Sequence, residues 1–228
     1  TQDLDVLGFD CYPFFTNDDA IRDGDHAFQL DLVRAHSGNF MIPEHQSGPG
    51  GQSPYLHTSP EPGELMKYSI RSIARGCDAL LYFRWRTCRF GAEEYWCGVL
   101  DHDNRENRRY REVAALGKVL KRLGPEVIGS SVKIDCAVAA ADYDVEESHN
   151  TYPLGLPHTN ETLKNVHKAL LTRGLSVGCV HPDDDLSDLK LYVIAHWALF
   201  KPEWVPKLTQ FVENGGVLVV GARTGTRN

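Results

Sequence analysis

The stretch Asn39-Phe40-Met41-Ile42-Pro43-Glu44-His45-Gln46-Ser47-Gly48-Pro49-Gly50-Gly51 sets a carboxylate where a short apolar run gives way to Gly, Pro, Ser and Gln. Residues 40–42 have the composition of a buried parallel strand and the residues after them read as a loop, which puts Glu44 where a strand ends. In α/β folds the C-terminal ends of parallel strands are where reactive side chains collect, so Glu44 is the first candidate for carboxylate chemistry. Taken alone, it also reads as a solvated group closing a strand. Two further apolar runs end in polar and aromatic residues. Residues 4–10 run into Cys11-Tyr12-Pro13, and residues 78–83 into Arg84-Trp85-Arg86.

Helical patterns separate these runs. Apolar positions at Ala20, Ile21, Ala27, Phe28, Leu30, Leu32 and Val33 predict a helix over 18–36. Leu65, Ile70, Ile73 and Ala74 predict another, begun by Pro and acidic residues at 60–64 and closed by Arg75-Gly76. A third, over 110–123, carries Val113, Leu116, Val119, Leu120 and Leu123 and is expected to stop at Gly124-Pro125. Three near-continuous apolar strands alternating with helices imply a parallel sheet with helical crossovers, in either a stretch of a (β/α)8 barrel or an open doubly wound sheet. Gly, Pro and Ser cluster over 124–131 as the expected boundary. Beyond it, strands at 132–141, 175–180, 189–196 and 217–221 alternate with helices at 159–173 and 202–214, a second α/β unit.

Composition restricts the partners. The 228 residues are 42% hydrophobic and 24% charged, the profile of a soluble globular protein, and the net charge of −7 argues against nucleic acid or an anionic membrane. Neutral substrates fit better. No apolar run approaches a membrane span, and the N-terminal residues show neither an initiator Met nor a signal-peptide pattern, so the chain reads as the middle of something longer. The six cysteines include no C-x-x-C pair and the ten histidines no H-x-x-x-H or H-E-x-x-H spacing. The expectation is therefore no metal, no cofactor and a reducing compartment, the cytoplasm.

Four segments together resemble family 42 glycoside hydrolases, the β-galactosidases: Phe9-Asp10-Cys11-Tyr12-Pro13, Pro43-Glu44-His45-Gln46-x-Gly48-Pro49, Tyr82-Phe83-Arg84-Trp85-Arg86, and Gly91-x-Glu93 leading to Gly98-Val99-Leu100-Asp101-His102-Asp103. The resemblance implies an α/β fold in which residues 1–126 are the last three strands of a (β/α)8 TIM barrel. Residues 132–228 would be part of a flavodoxin-like trimerisation domain. By the same resemblance Glu44 matches the catalytic nucleophile, and Tyr12 and Glu93 match positions contacting the galactosyl unit. The chemistry implied is retaining hydrolysis of terminal β-D-galactosides, in which a carboxylate attacks the anomeric carbon while a second carboxylic acid, about 5 Å away, protonates the leaving oxygen. Tyr12 is the expected hydroxyl donor to an ionised Glu44, and Arg84 and Arg86 either add positive charge or pair with structural carboxylates.

Three departures from the family pattern qualify this. Gln52 stands where the family commonly has a sugar-stacking Trp, so that platform is either missing or supplied from elsewhere, with Tyr55 a candidate. Trp96 stands where a His is common, and can stack on a sugar face or pack a loop. No Asn-Glu pair ending a fourth barrel strand is present to supply the acid/base, so the isolated chain is expected to be inactive and the full-length protein a homotrimer. A non-catalytic reading makes the chain a degenerate carbohydrate-binding or assembly module. An amidotransferase-like or nucleotide-binding second half has weak support, since Cys179 lies inside a strand and residues 220–225 hold too few glycines. Residues 101–104 read as loop polar groups leading into a helix rather than an ion site, and Asn160-Glu161-Thr162 as a helix start rather than a glycosylation sequon.

Overall fold

The computed structural model describes residues 3–15, 18–52, 55–151 and 155–227, with the backbone alone at residues 15, 52 and 55–57. The chain divides into two compact units, residues 1–33 with 37–132 and residues 133–228 with 34–36.

In the first unit the order is a 3-10 turn Pro13–Phe15, α1 (Asp19–Ser37), β1 (Phe40–Gln46), β2 (Gly50–Gln52), β3 (Tyr55–His57), α2 (Glu64–Ala74), β4 (Cys77–Phe83) and α3 (Arg108–Val127). β1 and β4 pair in parallel. On the other side of β1, residues 7–11 run parallel to it through isolated bridges at Gly8–Met41 and Cys11–His45 rather than as the continuous strand expected from their apolar run. Backbone bonds from Phe9 N–H to Met41 O (3.0 Å) and from Cys11 N–H to Glu44 O (2.8 Å) hold this segment. Phe40 and Ile42 on β1 pack with Leu30 of α1, Cys11 and Cys77 to form the core, the period-2 burial of a strand with a helix on one face.

Three expectations are corrected here. β1 does not end before Glu44: it continues to Gln46, and its register against β4 shifts between Ile42 and His45. Pro43 accounts for the shift, because it has no N–H to give the ladder and forces an irregularity without ending the strand. The Gly-rich stretch expected to be loop contains the antiparallel pair β2–β3. α3 passes through Gly124-Pro125 to Val127. A proline so near the helix end removes one bond from the final turn, and Ile128 N–H closes that turn on Gly124 O at 2.9 Å.

Charged groups clasp α1 to α2. Arg22, buried, reaches Glu64 at 2.8 Å, and Asp23 accepts from Tyr68 Oη (2.7 Å), Lys67 Nζ (3.0 Å) and Arg71 Nη1 (3.0 Å). Asp31, fully buried, pairs with Arg75. α3 starts at Asn107, whose Oδ1 accepts from Tyr110 N–H at 3.0 Å, an N-cap of the usual kind.

The second unit is a four-stranded parallel sheet in the order β6-β5-β7-β8, from β5 (Cys136–Ala139), β6 (Val177–Val180), β7 (Leu191–Ile194) and β8 (Val217–Val220). Its helices are α4 (Tyr143–Thr151), α5 (Thr159–Thr172) and α6 (Trp204–Glu213). α4 was not legible: its weak amphipathic pattern, YDVEESHNT, buries only Val145 and His149. α5 is capped by His158, whose Nδ1 accepts from Asn160 N–H at 3.2 Å, so Asn160-Glu161-Thr162 does start a helix. Trp197 and Trp204, fully buried at 5.8 Å between ring centroids, anchor α6. No helix among the described residues is long and apolar enough to cross a membrane.

Candidate active site

The parallel segments 7–11, β1 and β4 direct their C-terminal ends to one edge, and the candidate residues follow from those ends. Tyr12 comes one residue after the Cys11–His45 bridge. Its hydroxyl donates to Glu44 Oε2 at 2.9 Å. Both side chains are half-buried. Burial, the bond to Glu44 and the negative field of Glu44, Asp10 and Glu93 push the Tyr12 phenol far above its usual range, so it remains a proton donor to the carboxylate.

Trp96 stands edge-on to the Tyr12 ring, 5.5 Å between centroids and 79° between planes, and edge-on to Phe83 at 6.4 Å. Glu93 is ion-paired with Arg84. The same guanidinium lies over the Phe83 ring at 4.2 Å and donates to Cys88 Sγ at 3.0 Å. Arg84 is thereby assigned a partner: the carboxylate expected to meet the sugar. The Glu93 side chain is 54% exposed, so this pair orients more than it stabilises.

The backbone brings residues 93–98 over the end of β1. Gly51 N–H donates to Tyr95 O (2.9 Å) and Cys97 N–H to Pro49 O (3.1 Å), which zips the Gly-rich stretch to the loop carrying Trp96. Gly50 has φ +112°, and a Cβ there would stand 1.6 Å from Tyr95 O. Only glycine permits that approach. Ser47 Oγ donates to Phe83 O at 2.8 Å, tying β1 to the end of β4. The glycines are conspicuous in the sequence, but their partner 45 residues later in the chain is set by tertiary pairing.

Gln46 is buried; its Oε1 accepts from Phe14 N–H (3.1 Å) and its Nε2 donates to Gly48 O (3.1 Å), fixing the turn after β1. The side chains of Gln52 and Tyr55 lie outside the described ones. Asp101 accepts from Asn107 Nδ2 (3.0 Å) and pairs with Arg109, and Asp103 accepts from Arg105 N–H (3.1 Å), the contacts of a loop turning into α3. Among the described residues no second carboxylate is hydrogen-bonded to Glu44. The arrangement offers one carboxylate held by a phenol, a second, in the loop after β4, held by an arginine, and Trp96 of that loop packed edge-on against the Tyr12 ring.

Comparison with known proteins gives the family of the chain that carries this constellation. Residues 1–123 match the family 42 glycoside hydrolase model described as beta-galactosidase, and residues 135–228 match the beta-galactosidase trimerisation domain. The chain belongs to the family 42 β-galactosidases. It is 31% identical over 232 residues to beta-galactosidase BgaA of Clostridium cellulovorans, covering 100% of this chain and 35% of that one. With beta-galactosidase BgaH of Haloferax lucentense it shares 32% over 244 residues, 99% of this chain and 35% of the other. Among solved structures, Gan42B, a GH42 beta-galactosidase, superposes with a TM-score of 0.87 at 29% identity, covering 98% of this chain and 34% of that one. The chain spans about a third of the length of these relatives.

Proposed function

We propose that this chain supplies the nucleophile side of a retaining β-galactosidase site whose acid/base carboxyl is contributed by sequence outside these residues. Residues 1–126 are then the last three strands of a (β/α)8 barrel, with residues 7–11, β1 and β4 in consecutive parallel order. Residues 132–228 are a flavodoxin-like module that serves homotrimer assembly of the longer, cytoplasmic enzyme. Glu44 attacks the anomeric carbon of a terminal β-D-galactosyl unit and forms a glycosyl ester that water later cleaves. Tyr12 holds the non-attacking oxygen of Glu44, Glu93 accepts hydrogen bonds from sugar hydroxyls, and Trp96 presents an apolar face to the ring. The observation that carries this reading is the 2.9 Å bond from the Tyr12 hydroxyl to Glu44, made by a ring that Trp96 meets edge-on.

Trapping tests it directly. The full-length enzyme incubated with an activated 2-fluoro-galactoside, digested and weighed by mass spectrometry, is expected to carry the sugar on the peptide containing Glu44. A label on any other carboxylate removes Glu44 from the role. The 228-residue chain alone is expected to hydrolyse no activated galactoside, since it offers a nucleophile without a general acid.

A further inference from the structure

Behind the proposed catalytic face lies a side-chain cluster that sugar cleavage does not use. Cys11, His26 and His45 come from the segment beside β1, from α1 and from β1 itself, and each is at most 2% exposed. The Cys11 sulfur and one ring nitrogen of each imidazole all lie within 4.8 Å of one another. Glu44 bonds to Tyr12, whereas the next residue, His45, is fully buried within this cluster.

Hydrogen-bond accounting leaves this cluster short of protons. His45 Nδ1 is 3.0 Å from the Gln46 carbonyl oxygen, which can only accept, so the proton sits on Nδ1 and Nε2 holds a bare lone pair. That Nε2 is buried with no hydrogen-bond partner. For His26, Nε2 faces Ser72 Oγ at 3.5 Å, and the Ser72 hydroxyl already donates to Tyr68 O at 2.9 Å. The His26 proton is therefore assigned to Nε2, leaving Nδ1 bare, and Nδ1 is likewise buried and unpartnered. Two acceptor nitrogens cannot bond each other, and the single S–H proton of Cys11 can satisfy only one. A cation satisfies all three donors at once. The protonated nitrogens, turned to Gln46 O and Ser72 Oγ, have the outer contacts that orient metal-bound histidines.

We propose that Cys11, His26 and His45 form a metal site of the zinc class, with one thiolate and two neutral imidazoles as donors and a water in the fourth position. This donor set suits zinc and other borderline-soft divalent ions. Tetrahedral bonds of about 2.0–2.3 Å place donors roughly 3.3–3.8 Å apart, so the cluster need contract by only about an ångström. Burial supports the ligand forms of the histidines, lowering the pKa of His45 to about 4 and that of His26 below its ordinary value. Burial pushes the Cys11 thiol up, so the thiolate forms only with the metal: the ion displaces the thiol proton to solvent, one proton released per metal bound. The spacing of these residues matches no sequence motif, and the site does not depend on the galactosidase reading.

The full-length protein, treated with chelator and titrated with Co(II), is expected to take up one equivalent with the thiolate-to-cobalt absorption of a tetrahedral site. Zinc is expected to displace the cobalt and to raise the thermal midpoint. Cys11→Ser should lose the charge-transfer band while its far-UV circular dichroism shows it folded, and His26→Gln and His45→Gln should lose stoichiometric uptake. A folded wild type that takes up no cobalt, or takes it up without a thiolate band, overturns the proposal. So does a Cys11→Ser variant with an unchanged cobalt spectrum.

Discussion

Replacing Tyr12 with Phe removes one oxygen and leaves the ring that meets Trp96. The lost contact is a 2.9 Å hydroxyl-to-carboxylate bond between half-buried groups. Bonds to an ionised partner contribute about 1.5–3 kcal/mol. Not all of that reaches the barrier, because the bond is strongest to the full charge of the resting carboxylate and weakens as Glu44 becomes an ester. What survives is orientation: Oε2 is held, so Oε1 faces the substrate, and a misplaced nucleophile is costly. A loss of about 1.4–2.7 kcal/mol is reasonable, a ten- to hundred-fold fall in kcat/KM. The assay is steady-state hydrolysis of an activated aryl β-galactoside by the full-length enzyme, with the rate of 2-fluoro-galactoside trapping measured alongside. Both rates should fall together and thermal stability should change little. If Tyr12→Phe traps the fluorosugar at the wild-type rate, the phenol does not position the nucleophile and the reasoning fails.

Gly50→Ala should cost activity more than an ordinary surface change, at least about tenfold. Its Cβ would meet Tyr95 O at 1.6 Å and displace the loop carrying Trp96, an effect visible as a change in tryptophan fluorescence. Arg84→Met frees the Glu93 carboxylate from its ion partner and is expected to raise KM with a smaller change in kcat, read from the same steady-state assay. Asp23 bears on acid stability: burial pushes its pKa up, but hydrogen bonds from Arg71, Lys67 and Tyr68 outweigh that and hold it below the ordinary carboxylate range. A depressed carboxylate contributes stability present above its unfolded pKa of 3.8 and lost as pH falls below that value. Asp23→Asn should therefore lower the thermal midpoint at neutral pH, and in thermal melts the gap from wild type should narrow progressively as pH falls below about 4 toward the depressed native value.

The helices are legible in the sequence where amphipathic patterns and end signals agree. α1 and α2 fall within a few residues of their predicted spans, because Leu30 and Leu65 face a core and Gly76 follows the last turn. α4 escaped because it has almost no apolar face, and the β2–β3 pair because glycines suppress the alternation that marks a strand. Among the candidate site residues that the resemblance points to, Tyr12, Glu44, Glu93 and Trp96, the structure joins Tyr12 to both Glu44 and Trp96. Glu93 meets Arg84, nine positions earlier, a pairing that the sequence leaves open and the fold of the loop assigns. The Cys11, His26 and His45 cluster was invisible for a different reason. Its members sit on three elements, and a ligand set assembled by tertiary packing leaves no spacing to read.

The shift of register in β1 links the two sites. Between Ile42 and His45 the strand departs from its ladder with β4, and within that irregularity Glu44 meets Tyr12 while His45 lies against Cys11 and His26. The proline that breaks the ladder cannot itself hold the strand in place. Its position is set by what grips the segment from outside: Cys11 N–H on Glu44 O and Gln46 N–H on Cys11 O, at 2.8 and 2.9 Å. Cys11 is thus the residue whose backbone braces Glu44, the proposed nucleophile, and whose sulfur lies within 4.8 Å of a ring nitrogen of both His26 and His45. A bond from that sulfur to a metal shared with His45 would fix both chain segments to a common point. The irregular strand could then hold Glu44 to the tolerance a displacement reaction requires, without the regular ladder that normally supplies it.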